Sequence, residues 1–475
     1  MSTLLTPDIC VIGGGTGGLT VALAAAMLGT PVVLVEKGAM GGRHLNRGSL
    51  PSQSLIAAAR LAHGMRSAPP FGIAPGEPEV DFAAVARHIR EVTAAVAPNS
   101  SAERLSVLGV QVIRAAARFT DKHTVVAGDH QIRARRFVVA TGSSPLVPAI
   151  PGLETIDYLT SETVFSLARK PGHLAILGGG RTGCELAQAY RRLGCDVTVV
   201  EPERLLAHED QELAGFALRA LRAEGIDLRE GTRVVGATRR GRNGVRLSLM
   251  RGETAETLDA THLVIAAGRK PNIEGLGLES ARIRHDGTGI QVGAKLRTSN
   301  RKVYAVGDVA GQGGSAHLAA YQGGLVLRPL LFRLPGRTRP RIVPRMTFTD
   351  PEIAHVGLTE AEARSAGERP TILRWPHSEN DRAQAERTTA GLTKLVIGRR
   401  GRILGAGIAG RSAGEAIHVF ALAAARGLRV ADVAGYVAPY PTFADAGNRA
   451  AGLLLAASIA RPAVRGLVRL LRRFG

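Results

Sequence analysis

Two glycine clusters and two glutamates carry the clearest chemistry in the chain. Gly13, Gly15 and Gly18 have the spacing of a G-x-G-x-x-G turn, and Gly178, Gly180 and Gly183 repeat it. Glu36 lies 23 residues after Gly13, and Glu201 lies 23 residues after Gly178. In such a turn the first glycine closes a tight bend, the second lets the backbone approach a pyrophosphate, and the third admits a closely packed helix. A carboxylate about 20 residues on accepts ribose hydroxyls. One copy would mean little in a chain with 58 glycines, but two copies with the same acid spacing point to two dinucleotide sites.

The elements needed to position these residues are present around both. Asp8 to Ile12 reads as a buried parallel strand running into the first turn, Leu19 to Leu28 is helical in character, and Pro31 to Val35 is a second strand ending in Glu36. Leu174 to Leu177, a helix from Cys184 and the strand Asp196 to Val200 ending in Glu201 repeat that order. At 475 residues and 45% hydrophobic content, the chain has length for two or three domains with buried cores. Three scattered cysteines, Cys10, Cys184 and Cys195, are too few for a disulfide framework and fit a reducing cytoplasm. The start Met1 to Pro7 has no basic region of a signal peptide, and the apolar run Ala450 to Ala460 is about half of the roughly 20 residues a spanning helix needs.

A third segment carries chemistry by what it lacks. Gly41-Gly42-Arg43-His44-Leu45-Asn46-Arg47-Gly48-Ser49-Leu50-Pro51-Ser52-Gln53 resembles the redox loop of the flavin-dependent disulfide reductases, the family of dihydrolipoamide dehydrogenase and mercuric reductase, whose pattern reads GGTCLNxGCxPSK. His44 stands at the first cysteine and Ser49 at the second. Other runs are similar to the same family: Ala140-Thr141-Gly142, Ala266 to Asn272 with Gly268, Tyr304 to Asp308, Ala316-His317 with Gly323, Thr349 to Glu352, and Asp381 to Ala383. Thr349 to Glu352 is more like mercuric reductase. The resemblance implies an α/β protein with two Rossmann-type domains and a C-terminal α+β dimerisation domain. The expected boundaries are 1–150 and 275–340 for the FAD domain, 151–274 for the NAD(P) domain and 341–475 for dimerisation.

By that resemblance, Gly13, Gly15, Gly18, Glu36, Gly142, Asp308, Ala316 and His317 belong to the FAD site. Gly178, Gly180, Gly183, Glu201 and Gly268 belong to the nicotinamide site, and Glu185 is the glutamate that pairs in the family with the lysine replaced here by Gln53. Glu201 would accept a 2′-hydroxyl and repel a 2′-phosphate, so NADH is favoured over NADPH, although Arg204 keeps NADPH open. Losing the lysine ammonium should lower the flavin potential relative to the family.

Thiol-disulfide exchange needs a thiolate attacking sulfur, which His44 and Ser49 cannot supply. The C-terminal histidine of the lipoamide and glutathione branch, in its HPTxxE motif, is also missing: the matching run is Tyr440-Pro441-Thr442-Phe443-Ala444-Asp445. Mercuric ion needs soft thiolates, and no Cys/His cluster has metal-ligand spacing. The expectation is therefore a homodimeric FAD-dependent NAD(P)H oxidoreductase passing electrons from flavin directly to a small-molecule acceptor such as a quinone, a dye or oxygen. A non-catalytic flavoprotein partner of an intact disulfide reductase is the alternative. Similarity alone would label the chain a dihydrolipoyl dehydrogenase or mercuric reductase. His44 and Ser49, with Tyr440 and with Asp445 of a second subunit, form a candidate catalytic set, weighed against tolerated replacements in a decayed loop. Cys184 at a helix start is either an activated thiol or, as is commoner, a packing residue.

The net charge is +21, but the basic residues are spread along the chain and aromatic residues make up only 4%, which argues against nucleic-acid binding. From Arg461 to Gly475, Arg461, Arg465, Arg469, Arg472 and Arg473 alternate with Val464, Leu467, Val468 and Leu471 at helical spacing. The sequence favours a final helix packed on the dimerisation domain over a peripheral membrane contact, because amphipathic ends of globular domains outnumber membrane anchors.

Overall fold

The computed structural model describes residues 3–241, 244–311, 314–459 and 462–474. Arg461, one of the tail arginines, therefore lies outside the described residues. The chain divides into two compact units.

The first unit comprises residues 1–178, 192–196 and 234–338. It is built on a five-stranded parallel sheet in the order Val303–Ala305, Arg136–Val139, Ile9–Ile12, Val32–Val35, Val110–Ile113. These strands are nearly continuous runs of Val, Ile and Leu because both faces are covered. Alternate residues serve opposite faces. Ile9, Val11, Val32 and Leu34 pack with Leu19, Val21 and Ala22 of the helix Thr16–Met27 and with Val326 and Leu330 of the helix Ala316–Leu331. Cys10, Ile12, Val33 and Val35 turn the other way onto Phe119, Phe137 and Ile132, with the two phenylalanines edge to face at 5.3 Å. Those residues belong partly to a second sheet of Thr3–Leu5, His130–Ile132, Val125–Ala127 and Ala117–Phe119. The strand His173–Leu177 pairs parallel with His262–Ile265 in the same unit.

The second unit comprises residues 179–191, 197–233 and 339–475. It contains the helix Arg181–Arg192, in which Gly183 is buried, and a parallel pairing of residues 198–200 with 227–229. Its larger part is a five-stranded antiparallel sheet ordered Arg345–Thr347, Glu352–Gly357, Ile403–Gly410, Leu392–Ile397, Thr371–Pro376. Ala354, Val356, Leu395, Ala406 and Ile408 from this sheet pack against Ile417, Phe420, Val433 and Ala450 of the covering helices.

Two sequence expectations change here. The loop Gly41 to Gln53 is two helices, Gly42–Asn46 and Ser49–Arg66, joined at Arg47 and Gly48. The final helix, Pro462–Leu471, is not packed away: none of its residues is buried. Among the described residues no helix is long and apolar enough to cross a membrane.

Candidate functional site

The three glycines of the first loop have unlike surroundings. Gly13 adopts φ +110°, and a Cβ there would sit 2.4 Å from the Ala140 carbonyl oxygen. A Cβ on Gly18 would lie 1.9 Å from the Gly13 oxygen. Gly15 is different, since a Cβ there would meet nothing closer than the Gly42 Cα at 3.8 Å. Two positions are thus fixed by packing, and the middle one faces a space that a ligand backbone contact would need. Gly180 likewise has nothing within 4 Å, and Gly178, at φ +110°, abuts the Ala266 oxygen at 2.5 Å.

Each acidic residue closes its own loop. Glu36 accepts the Gly14 N–H at 2.6 Å and the Gly38 N–H at 2.6 Å. Glu201 accepts the Gly179 N–H at 2.6 Å and the Glu203 N–H at 3.1 Å. A carboxylate has about four acceptor sites, so both retain capacity for ribose hydroxyls. Gly142, at φ +70°, and Gly268, at φ +107°, end the segments that abut the two turns, and neither has a neighbour that would crowd a Cβ closely.

The segment after the strand Val32–Val35 is clamped to the first loop. Gly41 donates its N–H to the Gly14 oxygen at 2.9 Å, and Gly42 packs so closely on Gly15 that a Cβ would lie 2.6 Å from its Cα. Positive φ at Gly41 (+86°) and Gly42 (+65°) makes that approach feasible without strain. Asn46 then ties the short helix back, donating to the oxygens of Met40 at 2.9 Å and Gly42 at 2.8 Å. This geometry sets His44 Nδ1 3.0 Å from Ser49 Oγ.

The proton between them can be assigned. Arg43 Nη2 lies 3.4 Å from His44 Nε2, and a guanidinium only donates, so Nε2 accepts and Nδ1 carries the hydrogen. His44 therefore donates to Ser49, whose own hydroxyl hydrogen is left to point at a third group. Burial, and next the Arg43 charge, push the imidazole down to about 4, so the ring is neutral near pH 7. A serine that accepts from histidine is not being deprotonated by it, and this arrangement is a hydrogen-bond donor, not an activated nucleophile.

Around this pair lies a charged network of which the sequence singled out Asp308 as a site residue and not its partners. Arg43 Nη2 is 3.5 Å from Asp308 Oδ2 and 3.4 Å from the Gly314 oxygen. Ser143 donates its hydroxyl to Asp308 at 2.6 Å, Arg269 Nε donates to Ser143 Oγ at 2.8 Å, and Arg269 Nη2 reaches Glu162 at 2.6 Å. His317 is exposed at the start of the helix Ala316–Leu331, 3.2 Å from the Ser315 hydroxyl that caps it. Gln53 has its Nε2 enclosed with no hydrogen-bond partner among the described residues. The open side of Gly15 suits the approach of a phosphate, and the Asp308 carboxylate suits hydroxyl groups, as a dinucleotide carries both.

The other candidates sit in the second unit. Glu185 accepts the Phe348 N–H at 2.8 Å, and burial raises its carboxyl to about 7 despite that bond and Arg181. Tyr440 is two-thirds exposed and donates to Asp381 at 2.8 Å, which raises the phenol. Asp445 pairs with Arg449 one turn along its helix at 3.2 Å. Cys184 is fully buried with its thiol on the Gly179 oxygen, and burial raises it far above the range of a reactive thiolate; Cys10 is pushed up to about 12 for the same reason. Both cysteines are packing residues.

Comparison with known proteins agrees with this layout. Residues 7–323 match the pyridine nucleotide-disulphide oxidoreductase model, and residues 343–451 match the dimerisation domain of the same family. The mercuric reductase of Streptomyces lividans is 35% identical over 92% of the chain and 94% of its own length. A dihydrolipoyl dehydrogenase of Pseudomonas aeruginosa is 34% identical over 95% of the chain and 98% of its own length. Among solved structures, LpdA from Mycobacterium tuberculosis superposes with a TM-score of 0.87 at 28% identity, covering 95% of this chain and 99% of that one. The chain belongs to the pyridine nucleotide-disulphide oxidoreductase family, whose members are FAD-dependent oxidoreductases that use NAD(P). It carries that family's dimerisation domain as well.

Proposed function

We infer that the protein is a homodimeric FAD-dependent NAD(P)H oxidoreductase that passes electrons from flavin directly to a small-molecule acceptor, such as a quinone, a dye or oxygen, with no redox disulfide. The observation carrying this reading is the His44–Ser49 hydrogen bond at 3.0 Å in the place of the family's cysteine pair. Bound FAD supplies a two-electron store between the nicotinamide and the acceptor.

The chain's own residues take the remaining roles. Gly15 lets the backbone approach the pyrophosphate, and Glu36 and Asp308 accept hydroxyls, Asp308 being held by Ser143 and flanked by Arg43. Ser49, fixed as an acceptor from His44, offers its hydroxyl hydrogen to a carbonyl oxygen of the acceptor. Glu201, with a carboxylate already turned to its own loop, favours NADH over NADPH by repelling a 2′-phosphate. The domain boundaries expected from the sequence belong to the same reading.

Anaerobic stopped-flow reduction by NADH and NADPH, followed by addition of a quinone, tests it. Rapid two-electron bleaching without a long-wavelength thiolate band, then fast reoxidation by quinone, is expected. Bound flavin that does not bleach, or bleaches without turnover, would favour the non-catalytic partner instead.

A further inference from the structure

The helix Pro462–Leu471 is a conspicuous piece of unused surface. It lies beyond residue 451, where the match to the dimerisation domain ends, so the shared fold of the family does not account for it. Arg469 follows Arg465 by four residues, and Arg472 and Arg473 follow Arg469 by three and four, so the four arginines share one side. Val464, Leu467, Val468 and Leu471 share the other. The apolar side is in solvent: Leu467 is 53% exposed, Leu471 55% and Phe474 just beyond 79%. Ile459, at the end of the preceding helix, is 63% exposed and lines a cleft with Val468, Arg465 and Arg469.

An aliphatic stripe of this kind gains free energy from any apolar cover. The charge decides which cover fits. Residues 446–475 hold no acidic side chain, so two copies of this segment would bring arginines together with no aspartate or glutamate between them to pair with. A nucleic acid would answer the arginines and leave the leucines wet. An anionic bilayer answers both sides at once, with phosphates for guanidinium groups and acyl chains for the stripe. Ten residues of helix span about 15 Å, half of a hydrocarbon core, so the helix would lie in the interface plane and not across it.

We propose that Pro462–Leu471, with Phe474, docks this protein on an anionic lipid bilayer. The docking does not depend on which molecule accepts the electrons.

Co-sedimentation of the full-length, FAD-loaded protein with vesicles tests it. Vesicles of phosphatidylcholine containing phosphatidylglycerol should bind at least tenfold more protein than phosphatidylcholine alone, and raising the salt should weaken this binding. The variant Arg465→Gln/Arg469→Gln/Arg472→Gln/Arg473→Gln should lose it. Leu467→Gln/Leu471→Gln, which keeps every charge, should weaken it several-fold while its sedimentation velocity without lipid matches the parent. Absence of binding to the anionic vesicles overturns the proposal. Binding unchanged by the leucine pair would mean charge attraction without docking and overturns it too. A leucine variant that falls to a smaller species in solution would show that a second copy covers the stripe, with the same consequence.

Discussion

His44 Nδ1 and Ser49 Oγ are 3.0 Å apart, with the hydrogen on the imidazole side because Arg43 occupies the other ring nitrogen as a donor. The two side chains face each other across the Arg47–Gly48 link only because one helix ends at Asn46 and the next begins at Ser49. Ser49→Ala removes the donor this geometry presents to an acceptor. Turnover with a quinone should fall about tenfold or more, the loss expected for a hydrogen bond to a developing oxyanion, while reduction by NADH in the first half-reaction keeps its rate. Equal losses in both half-reactions would assign Ser49 to the fold instead.

Removing Arg43 should release the imidazole. In Arg43→Met the ring keeps its burial but loses the neighbouring positive charge, so its titration should move up from about 4 toward the ordinary range. Proton NMR of the ring resonances against pH reads this directly.

Gly15→Ala and Gly18→Ala should separate binding from folding. Gly15 has an extended backbone, φ −83° and ψ −176°, that alanine adopts freely, and open space for the methyl group. Its apo stability should stay within about 0.5 kcal/mol of the parent while FAD affinity drops at least tenfold. Gly18→Ala drives a methyl group into the Gly13 oxygen and should cost about 2–3 kcal/mol with or without FAD. Chemical denaturation with and without added FAD distinguishes the two.

In the second unit, Lys394 is 4% exposed and holds three carboxylates, Asp210 at 3.0 Å, Glu212 at 2.8 Å and Glu360 at 2.9 Å. Lys394→Met leaves them without their central cation, and about 3–5 kcal/mol of stability should go with it. The exposed pair Arg246–Asp259, at 2.7 Å, offers a contrast, since solvent screens it and Arg246→Ala should leave the denaturation midpoint close to the parent's. A denaturant series on both variants checks the difference.

Acid sensitivity should begin well above the carboxylate range. His355 and His377, each 2% exposed, are pushed down to about 4, chiefly by burial. An unfolded chain protonates them near 6.5, so it binds more protons than the folded one, and the stability they contribute falls as pH drops from about 6.5 to about 4, opposed in part by the raised carboxyl of Glu185. Glu212, held down to about 2 chiefly by Arg374, adds a further loss below about 4.5. His355 is buried and pushed down chiefly by that burial, so His355→Leu, which removes the titrating ring, should flatten the upper part of that slope in a melting-temperature series.

The two nucleotide loops were legible because their constraints are local: a strand, a turn of fixed glycine spacing and a helix are contiguous in sequence, and the acid recurs at a fixed distance. Even the bond from Glu36 to Gly14 is duplicated by Glu201 and Gly179 over the same separation. The network of Arg43, Ser143, Glu162, Arg269 and Asp308 was not, since its members meet from separations such as 165 and 126 residues that no periodicity encodes. Arg43 did leave one trace, in that it stands where the family pattern has threonine. Asp381 as the partner of Tyr440 was hidden for the same reason, 59 residues away. The tail helix was read correctly in its amphipathic pattern and wrongly in its burial, because a stripe of leucines does not say what lies opposite it.

The close seat of Gly42 on Gly15 means that the segment bearing His44 also closes one side of the first glycine loop. Gly41, Gly42 and Asn46 thus serve two ends at once: they seat the segment on that loop, and they hold the short helix from which His44 meets Ser49. A change at any of the three is expected to reach both places, whereas a change at position 44 or 49 stays in one.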